Sequence, residues 1–517
     1  MLRFGKNMFS FALPIAHTMT MNSLRLNIWT PHGQLKKAFL LLLIVSGLIC
    51  MCPNPVLQAF QIEKNATPRY IFLFIGDGMG PRQVKLSDAV LQDGQSLVMT
   101  SFPVHGQATS HADNNAVTDS AAAGTALATG RKTSIGTISM ATNHIDTLRT
   151  VTDIAQSKGM KTGIVTSAGI DDATPACFYA HNISRNNYYD IAVQMASSGV
   201  DYFGGGYAFG NFPEQIKKAK TFQGDIRSLM QSANYVIAHN RTELSSVQPG
   251  SRCWAYTDYD IKAGMNYDMD RTSRDIELAE FTREGIRVLN NPQGFFMMVE
   301  GGKIDWACHA HDAAAAAHDV MAFDNAIAEA LAFYHHHPAE TLIIVTADHE
   351  TGGLTLEDGS ISSETQLKLL RNQSISQQGF TEKVSLWRKS NSVTFPMALD
   401  SVRVYYGLRI AGKDSSLVLT ALERDTLMET YKSSMKQQNS DNHGKESADI
   451  FTRAVTNILN RRAGVSWSTH NHTGAPVEVF ARGNGAEAFR GSYDNTDIAK
   501  KLYTIMTCRD QVTLQSR

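Results

Sequence analysis

The chain has 517 residues, 19% of them charged, and a formal net charge of -1. That length accommodates one large α/β domain with insertions, or two or three ordinary domains, each with a sizeable buried core. The balanced charge excludes a general electrostatic attraction to nucleic acid or an anionic membrane, so any anion binding must be local.

The first 60 residues stand apart. Lys36 and Lys37 precede an apolar run from Ala38 to Ile49, and Pro53, Pro55 and Val56-Leu57-Gln58-Ala59 close the segment. A basic flank, a short apolar centre and a small terminal residue predict a secretory signal over 1–59, cleaved after Ala59, with export to the periplasm or the cell exterior. A membrane anchor is the competing reading, but the run falls short of the roughly 20 residues a span needs. Ile49 and Met51, before Cys50 and Cys52, are too bulky for lipoprotein processing. Cys177, Cys253, Cys308 and Cys508 follow with no zinc-knuckle spacing and are expected to be structural or free.

Arg69 to Ile75 is a continuous apolar run, as expected of a central strand buried on both faces. Gly76-Asp77-Gly78-Met79-Gly80 ends it, and the glycines let the backbone turn and present Asp77 at the strand's carboxyl end, where open α/β sheets place ligands. In Thr118-Asp119-Ser120-Ala121-Ala122 a serine enters a run of small, helix-favouring residues, which puts Ser120 in a first helical turn among unpaired N–H groups that attract anions. Taken alone, that stretch also reads as an ordinary capped helix.

Lys161 to Ser167 is a second buried strand, ending in Asp171-Asp172-Ala173-Thr174-Pro175-Ala176 and, further on, Arg185, whose planar fork matches two phosphate oxygens. A helix over 275–290 leads to strand Phe295 to Val299 and then Glu300, Asp305, Trp306 and His309; Asp305 and His309 are four apart, so one helical turn brings both to one face. An Ala-rich helix over 312–333 follows, with His335-His336-His337 read as a solvated loop before Pro338. Thr341 to Thr346 is the next strand, and Asp348-His349 leave it, an oxygen and an imidazole nitrogen suited to one zinc ion. Residues 354–466 are polar and strand-poor, an insertion or lid with helices over 417–435 and 447–461. His472 then precedes strand Val477 to Ala481, and a helix over 496–506 closes the chain.

The same arrangement has recurred at four strand ends: Asp77; Asp172 with Thr174; Glu300 with Asp305 and His309; Asp348 with His349. In a doubly wound sheet these converge on one edge. The expected fold is therefore α/β, a three-layer sandwich with a mostly parallel central sheet flanked by helices plus an inserted subdomain: core 60–353, insertion 354–466, core again 467–517.

With these residues in hand, the chain resembles the alkaline phosphatases through GDGMG, TDSAA, DATPA with AHxxSR, VEGGKID with its trailing histidine, TADHETGG and HTG. The resemblance implies an exported phosphomonoesterase that works through a phosphoserine intermediate at a site of two Zn2+ and one Mg2+. It makes Ser120 the nucleophile and Arg185 the phosphate clamp. It gives one zinc to Asp305, His309 and His472, the other to Asp77, Asp348, His349 and Ser120, and magnesium to Asp77, Thr174 and Glu300. Asp172 is implied as a supporting acid. Trp306 departs from relatives with lysine or histidine there, which bears on magnesium and phosphate. The substrates implied are small phosphate monoesters, with no nucleic-acid surface, no stable membrane span after cleavage, and a homodimer as an open assembly. The same sheet and metal logic also serves sulfatases and phosphodiesterases, and a catalytically silent exported metal-binding protein is the reading from another class.

Overall fold

Residue runs that are apolar on both sides become strands only where helices cover both faces of the sheet. In the computed structural model, which describes residues 67–257, 264–356, 365–437 and 448–507, this happens around β1 (Tyr70–Gly76), β7 (Phe295–Glu300) and β8 (Thr341–Ala347), every residue of which is buried. The other strands are β2 (Val104–Thr109), β3 (Lys161–Gly169), β4 (Tyr202–Gly206), β5 (Tyr235–Ala238), β6 (Arg252–Tyr256), β9 (Glu350–Thr351), β10 (Leu354–Leu356), β11 (Val465–Trp467), β12 (His472–Thr473), β13 (Val477–Gly483) and β14 (Gly491–Asp494).

Ten strands form one sheet in the order β14-β2-β13-β8-β1-β7-β3-β4-β6-β5. Strand β13 runs antiparallel to both β8 and β2, and every other pairing in that sheet is parallel. The register is what aligns the site. Gly76 of β1 pairs with Ala347 of β8, and Ile75 pairs with Glu300 of β7, which also faces Thr166 of β3. The residues that leave these four strands therefore emerge side by side.

Long helices cover the sheet. Leu278–Leu289 starts on a capping box between Glu277 and Glu280, and Ala313–His336 is capped by Asp312, whose side chain accepts from Ala315 N–H. The second helix runs through His335 and His336, which are exposed but helical rather than a loop, and His337 ends it half-buried. It continues because His337 N–H bonds back to Phe333 and Tyr334, and the Phe333 and His337 rings pack on Tyr70 at 4.8 Å and 5.2 Å between centroids.

Residues after β10 build a second apolar cluster from helices Gln377–Ser390, Phe395–Tyr406, Ala421–Lys436 and Ile450–Arg462. Antiparallel pairing of β10 with β11, Leu354 opposite Trp467 and Leu356 opposite Val465, closes its base. The described residues pack as one compact unit. Among the described residues no helix is long and apolar enough to cross a membrane, and Cys177, Cys253 and Cys308 are buried free thiols. The expected signal over 1–59, the polar connection after Lys436 and Cys508 lie, wholly or in large part, outside the described residues.

Candidate metal centre and nucleophile

Each functional side chain occupies a position where backbone geometry leaves it little freedom. After β1 the chain turns through Gly78 at φ +69°, a conformation glycine adopts without steric cost, and Gly78 N–H donates to Asp348 Oδ1 at 3.1 Å. Ser120 is the first residue of the buried helix Ser120–Thr129. Its cap, Asp119, accepts from Ala122 N–H at 3.0 Å and from Gly136 N–H at 3.2 Å. Asp305 and His309 lie on one short helix, Lys303–His309, and their side chains meet at 3.3 Å, as their spacing predicts. Strand β12 brings His472 back against β9 beside Thr351.

Two sets of donor atoms converge. In the first, Asp77, Asp348 and His349 bring ligand atoms within 4.8 Å of one another. His349 Nε2 lies 3.4 Å from Asp77 Oδ1, 3.3 Å from Asp348 Oδ2 and 3.3 Å from Ser120 Oγ. In the second, His472 Nε2 is 3.2 Å from His309 Nε2 and 3.6 Å from Asp305 Oδ1. His349 also approaches this set, with Asp305, His349 and His472 within 4.8 Å and the two imidazoles stacked at 3.7 Å.

The imidazole tautomers follow from their outer partners. His472 Nδ1 faces the carbonyl of Thr118 at 3.0 Å, and His309 Nδ1 faces the carbonyl of His470. A carbonyl only accepts, so each Nδ1 carries the proton and each Nε2 turns a lone pair inward. Two lone pairs facing each other at 3.2 Å repel unless a cation lies between them.

The carboxylates make the same demand. Burial, then repulsion from Asp348, Asp305 and Glu300, raises the Asp77 carboxyl well above its ordinary range. Burial, then Asp305, pushes Asp348 up to about 7, and burial pushes Glu300 up to about 8. Asp77 Oδ1 is buried without a hydrogen-bond partner. A buried acceptor left unpaired is costly, and a divalent ion relieves both the charge and the unmet bond.

Arg185 stands beside this centre. One terminal nitrogen donates to Asp119 Oδ2 and the other to Asp172 Oδ1, both at 3.2 Å. Burial would lower its pKa, but Asp172 and Asp119 raise it well above the ordinary value, so the guanidinium stays charged. Asp172 thus meets Arg185 directly. The part of Asp119 is new, because in the sequence it reads only as a helix cap; the adjacent Asp-Ser pair was the available signal.

Thr174 Oγ1 points to Asp348 Oδ2 at 3.4 Å, and Glu300 Oε2 accepts from the Thr166 hydroxyl. Trp306 packs against the core, with the Lys303 ammonium 4.0 Å from its ring and 3.8 Å from that of Tyr267. His311 stacks on Trp467 and His470, and His318 meets Asp268, so neither joins a donor set.

A mainly parallel sheet whose strand ends gather carboxylates, imidazoles and a helix-start serine defines a metal-dependent hydrolase of the α/β class. Comparison with known proteins narrows that class. The family model for alkaline phosphatase matches residues 68–508. Alkaline phosphatase 3 of Bacillus subtilis (strain 168) is 30% identical over 447 residues, covering 84% of this chain and 88% of its own length. The crystal structure of a cold-active alkaline phosphatase from a psychrophilic Shewanella species superposes with a TM-score of 0.70 at 28% identity, covering 84% of this chain and 99% of that one. A variant of the alkaline phosphatase from the Antarctic bacterium TAB5, solved with magnesium bound, gives a TM-score of 0.57 at 25% identity, covering 86% and 99%.

The chain belongs to the alkaline phosphatase family, metal-dependent enzymes that hydrolyse phosphate monoesters.

Proposed function

We propose that the protein is an exported alkaline phosphatase that hydrolyses phosphate monoesters through a phosphoserine on Ser120, at a centre for two zinc ions and one magnesium ion. The observation that carries this reading is donor spacing. Tetrahedral zinc with N and O ligands at about 2.0–2.1 Å sets neighbouring ligand atoms about 3.3 Å apart. His349 Nε2 stands 3.3–3.4 Å from Asp77 Oδ1, Asp348 Oδ2 and Ser120 Oγ, and the contacts among His309 Nε2, the Asp305 carboxylate and His472 Nε2 run from 3.2 to 3.6 Å. Asp305, His309 and His472 would hold one zinc, and Asp77, Asp348, His349 and Ser120 Oγ the other. Asp77, Thr174 and Glu300 are an oxygen-only set that suits magnesium, an assignment supported by the magnesium in the TAB5 relative. Trp306, next to Asp305 in the sequence, adds neither charge nor a metal nitrogen.

When bound, the divalent ions supply Lewis-acid stabilisation to the attacking and leaving oxygens, the main need of a reaction whose uncatalysed rate calls for accelerations up to about 10²¹. Arg185 binds two non-bridging phosphate oxygens and turns the phosphorus toward Ser120. Asp119 and Asp172 hold its fork in that plane. The positive end of the Ser120–Thr129 helix favours the ionised serine and the phosphate alike. Bond formation from Ser120 Oγ to phosphorus, with cleavage of the ester P–O bond, releases the alcohol. Attack of water on the phosphoserine then returns Ser120 and inorganic phosphate.

The same reading assigns residues 1–59 to an export signal, 60–353 and 467–517 to the catalytic core, and 354–466 to an insertion. A second apolar cluster built mainly from that last span supports the insertion. Sequencing the amino terminus of the secreted protein tests the cleavage after Ala59.

Ser120→Ala tests the mechanism. The variant is expected to fold, to retain zinc measured by elemental analysis, and to form no acid-stable phosphoprotein, with most turnover of nitrophenyl phosphate lost. Phosphoprotein formation at the wild-type level would overturn the assignment.

A further inference from the structure

We propose that Thr351 is a positioning residue that ties the two zinc sets together, so that both weaken when its hydroxyl is lost; the inference rests on the metal-ligand reading above. Thr351 is fully buried, and it touches a ligand-bearing segment in four directions. Its backbone N–H donates to the Gly78 carbonyl at 3.2 Å, in the turn that presents Asp77. Its backbone pairs with His472 across β9 and β12. Its hydroxyl lies 2.6 Å from Asp305 Oδ1 and 3.2 Å from His349 Nδ1.

The last two contacts have only one consistent assignment. A hydroxyl has one proton, and the Asp305 carboxylate is an acceptor only, so the proton goes to Asp305. The threonine oxygen must then accept from His349 Nδ1–H. That places the His349 proton on Nδ1 and leaves Nε2, the atom facing Asp77, Asp348 and Ser120, as a lone pair. His309 and His472 obtain the same tautomer from backbone carbonyls. For His349 the acceptor is a side chain, and that side chain also orients the carboxylate of the other set. One hydroxyl therefore fixes a ligand in each.

The chain leaves room for this hydroxyl at a cost elsewhere. A Cβ on Gly78 would lie 2.8 Å from Thr351 Oγ1 and 2.9 Å from Asp305 Oδ1. The open space under the turn is thus the space through which the two side chains meet.

Thr351→Val keeps the shape and removes the hydroxyl, and Thr351→Ser keeps the hydroxyl. Zinc affinity of the full chain is measured by competition with a chromophoric chelator, resolving the two equivalents, and the His349 tautomer in the zinc-loaded protein is read from ¹⁵N ring shifts. Losing a hydrogen-bond partner of a metal ligand typically costs about 10–100-fold in metal affinity. Valine is expected to weaken both zinc equivalents by that order and to disturb the Nδ1–H signature of His349, with serine close to wild type. Circular dichroism of the metal-free proteins reports folding, and Thr351→Ala replaces valine should valine prevent it. Wild-type affinity at both equivalents in a folded hydroxyl-free variant, or loss confined to one equivalent, would overturn the coupling. Failure of the wild type itself to take up two zinc ions would instead overturn the metal-ligand reading on which it rests.

Discussion

Arg185 lies between two acids that cannot neutralise its usefulness, because each takes one terminal nitrogen and leaves the remaining donors of the fork for phosphate. Arg185→Ala should raise KM by about 10- to 150-fold, equivalent to roughly 1.5–3 kcal/mol for a charge-assisted contact. It should also narrow the preference for nitrophenyl phosphate over its diester, which offers fewer free oxygens. An unchanged monoester-to-diester ratio would count against the clamp. Asp171, next to Asp172 but turned away from the fork, accepts from Phe209 and Gly210 N–H at 2.8 Å and 2.6 Å. Burial pushes its carboxyl from 3.8 up to about 7. The folded state then holds this proton more tightly than the unfolded chain does. Its contribution to stability is full below pH 3.8 and is lost as pH rises toward about 7, at up to about 1.4 kcal/mol per pH unit. Asp171→Asn should remove that slope; its cost, about 1–3 kcal/mol at the acid end because one backbone N–H loses its acceptor, should shrink as pH rises. Urea unfolding of both zinc-saturated proteins between pH 5 and pH 7 measures it, and parallel slopes would refute it.

At the scale of elements, the turns after β1 and β8 carry more of the chemistry than any helix. Gly78→Ala places a Cβ against Thr351 and Asp305 and forces φ +69° on alanine, a left-handed conformation that costs about 1–2 kcal/mol. The variant should lose that much stability and should also load zinc less tightly; a stability loss with unchanged zinc affinity would mean that the turn relaxes away from the site. These turns were legible in the sequence because their signals are local: an apolar run that ends, directly or after one or two small residues, in a ligand-type residue with glycine nearby. Asp77, Glu300 and Asp348 could be placed at one edge on that basis. The reversed direction of β13 was not legible, since Val477 to Ala481 is apolar in either orientation and only its partners β2 and β8 decide it. Helices Gln377–Ser390 and Phe395–Tyr406 were hidden by polar faces, and become ordered by burying Phe380, Val384, Ala398 and Val402 against one another's neighbours. Thr351 and Asp119 were missed for a related reason. Their spacing shows a hydroxyl and a cap, whereas their roles arise from partners 46 and 66 residues away.

Across the whole molecule, the two apolar clusters depend on each other unequally. The second is completed by Leu86, Val90, Ala313, Ala314 and Ala317, which belong to helices lying on the main sheet. The main cluster is built without the helices of residues 377–462. The helices of residues 377–462 should therefore open while the sheet stays folded, in the manner of a less stable cooperative unit. Asp449 is the point at which to test this. It caps helix Ile450–Arg462 through Phe451 and Thr452 N–H, pairs with Arg388 at 2.5 Å and accepts from Ser434 at 2.6 Å, joining three helices. Removing one partner of a buried pair typically costs 3–5 kcal/mol. In Asp449→Ala, hydrogen exchange followed by mass spectrometry should show protection falling over 450–462. The loss should continue into 465–473, because β11 follows that helix directly and carries the chain to His472. Strand β1 should keep its protection. Zinc should leave faster as well, since His472 opens with β12. Equal loss of protection in 70–76 would mean that sheet and insertion unfold together, and would refute the unequal dependence.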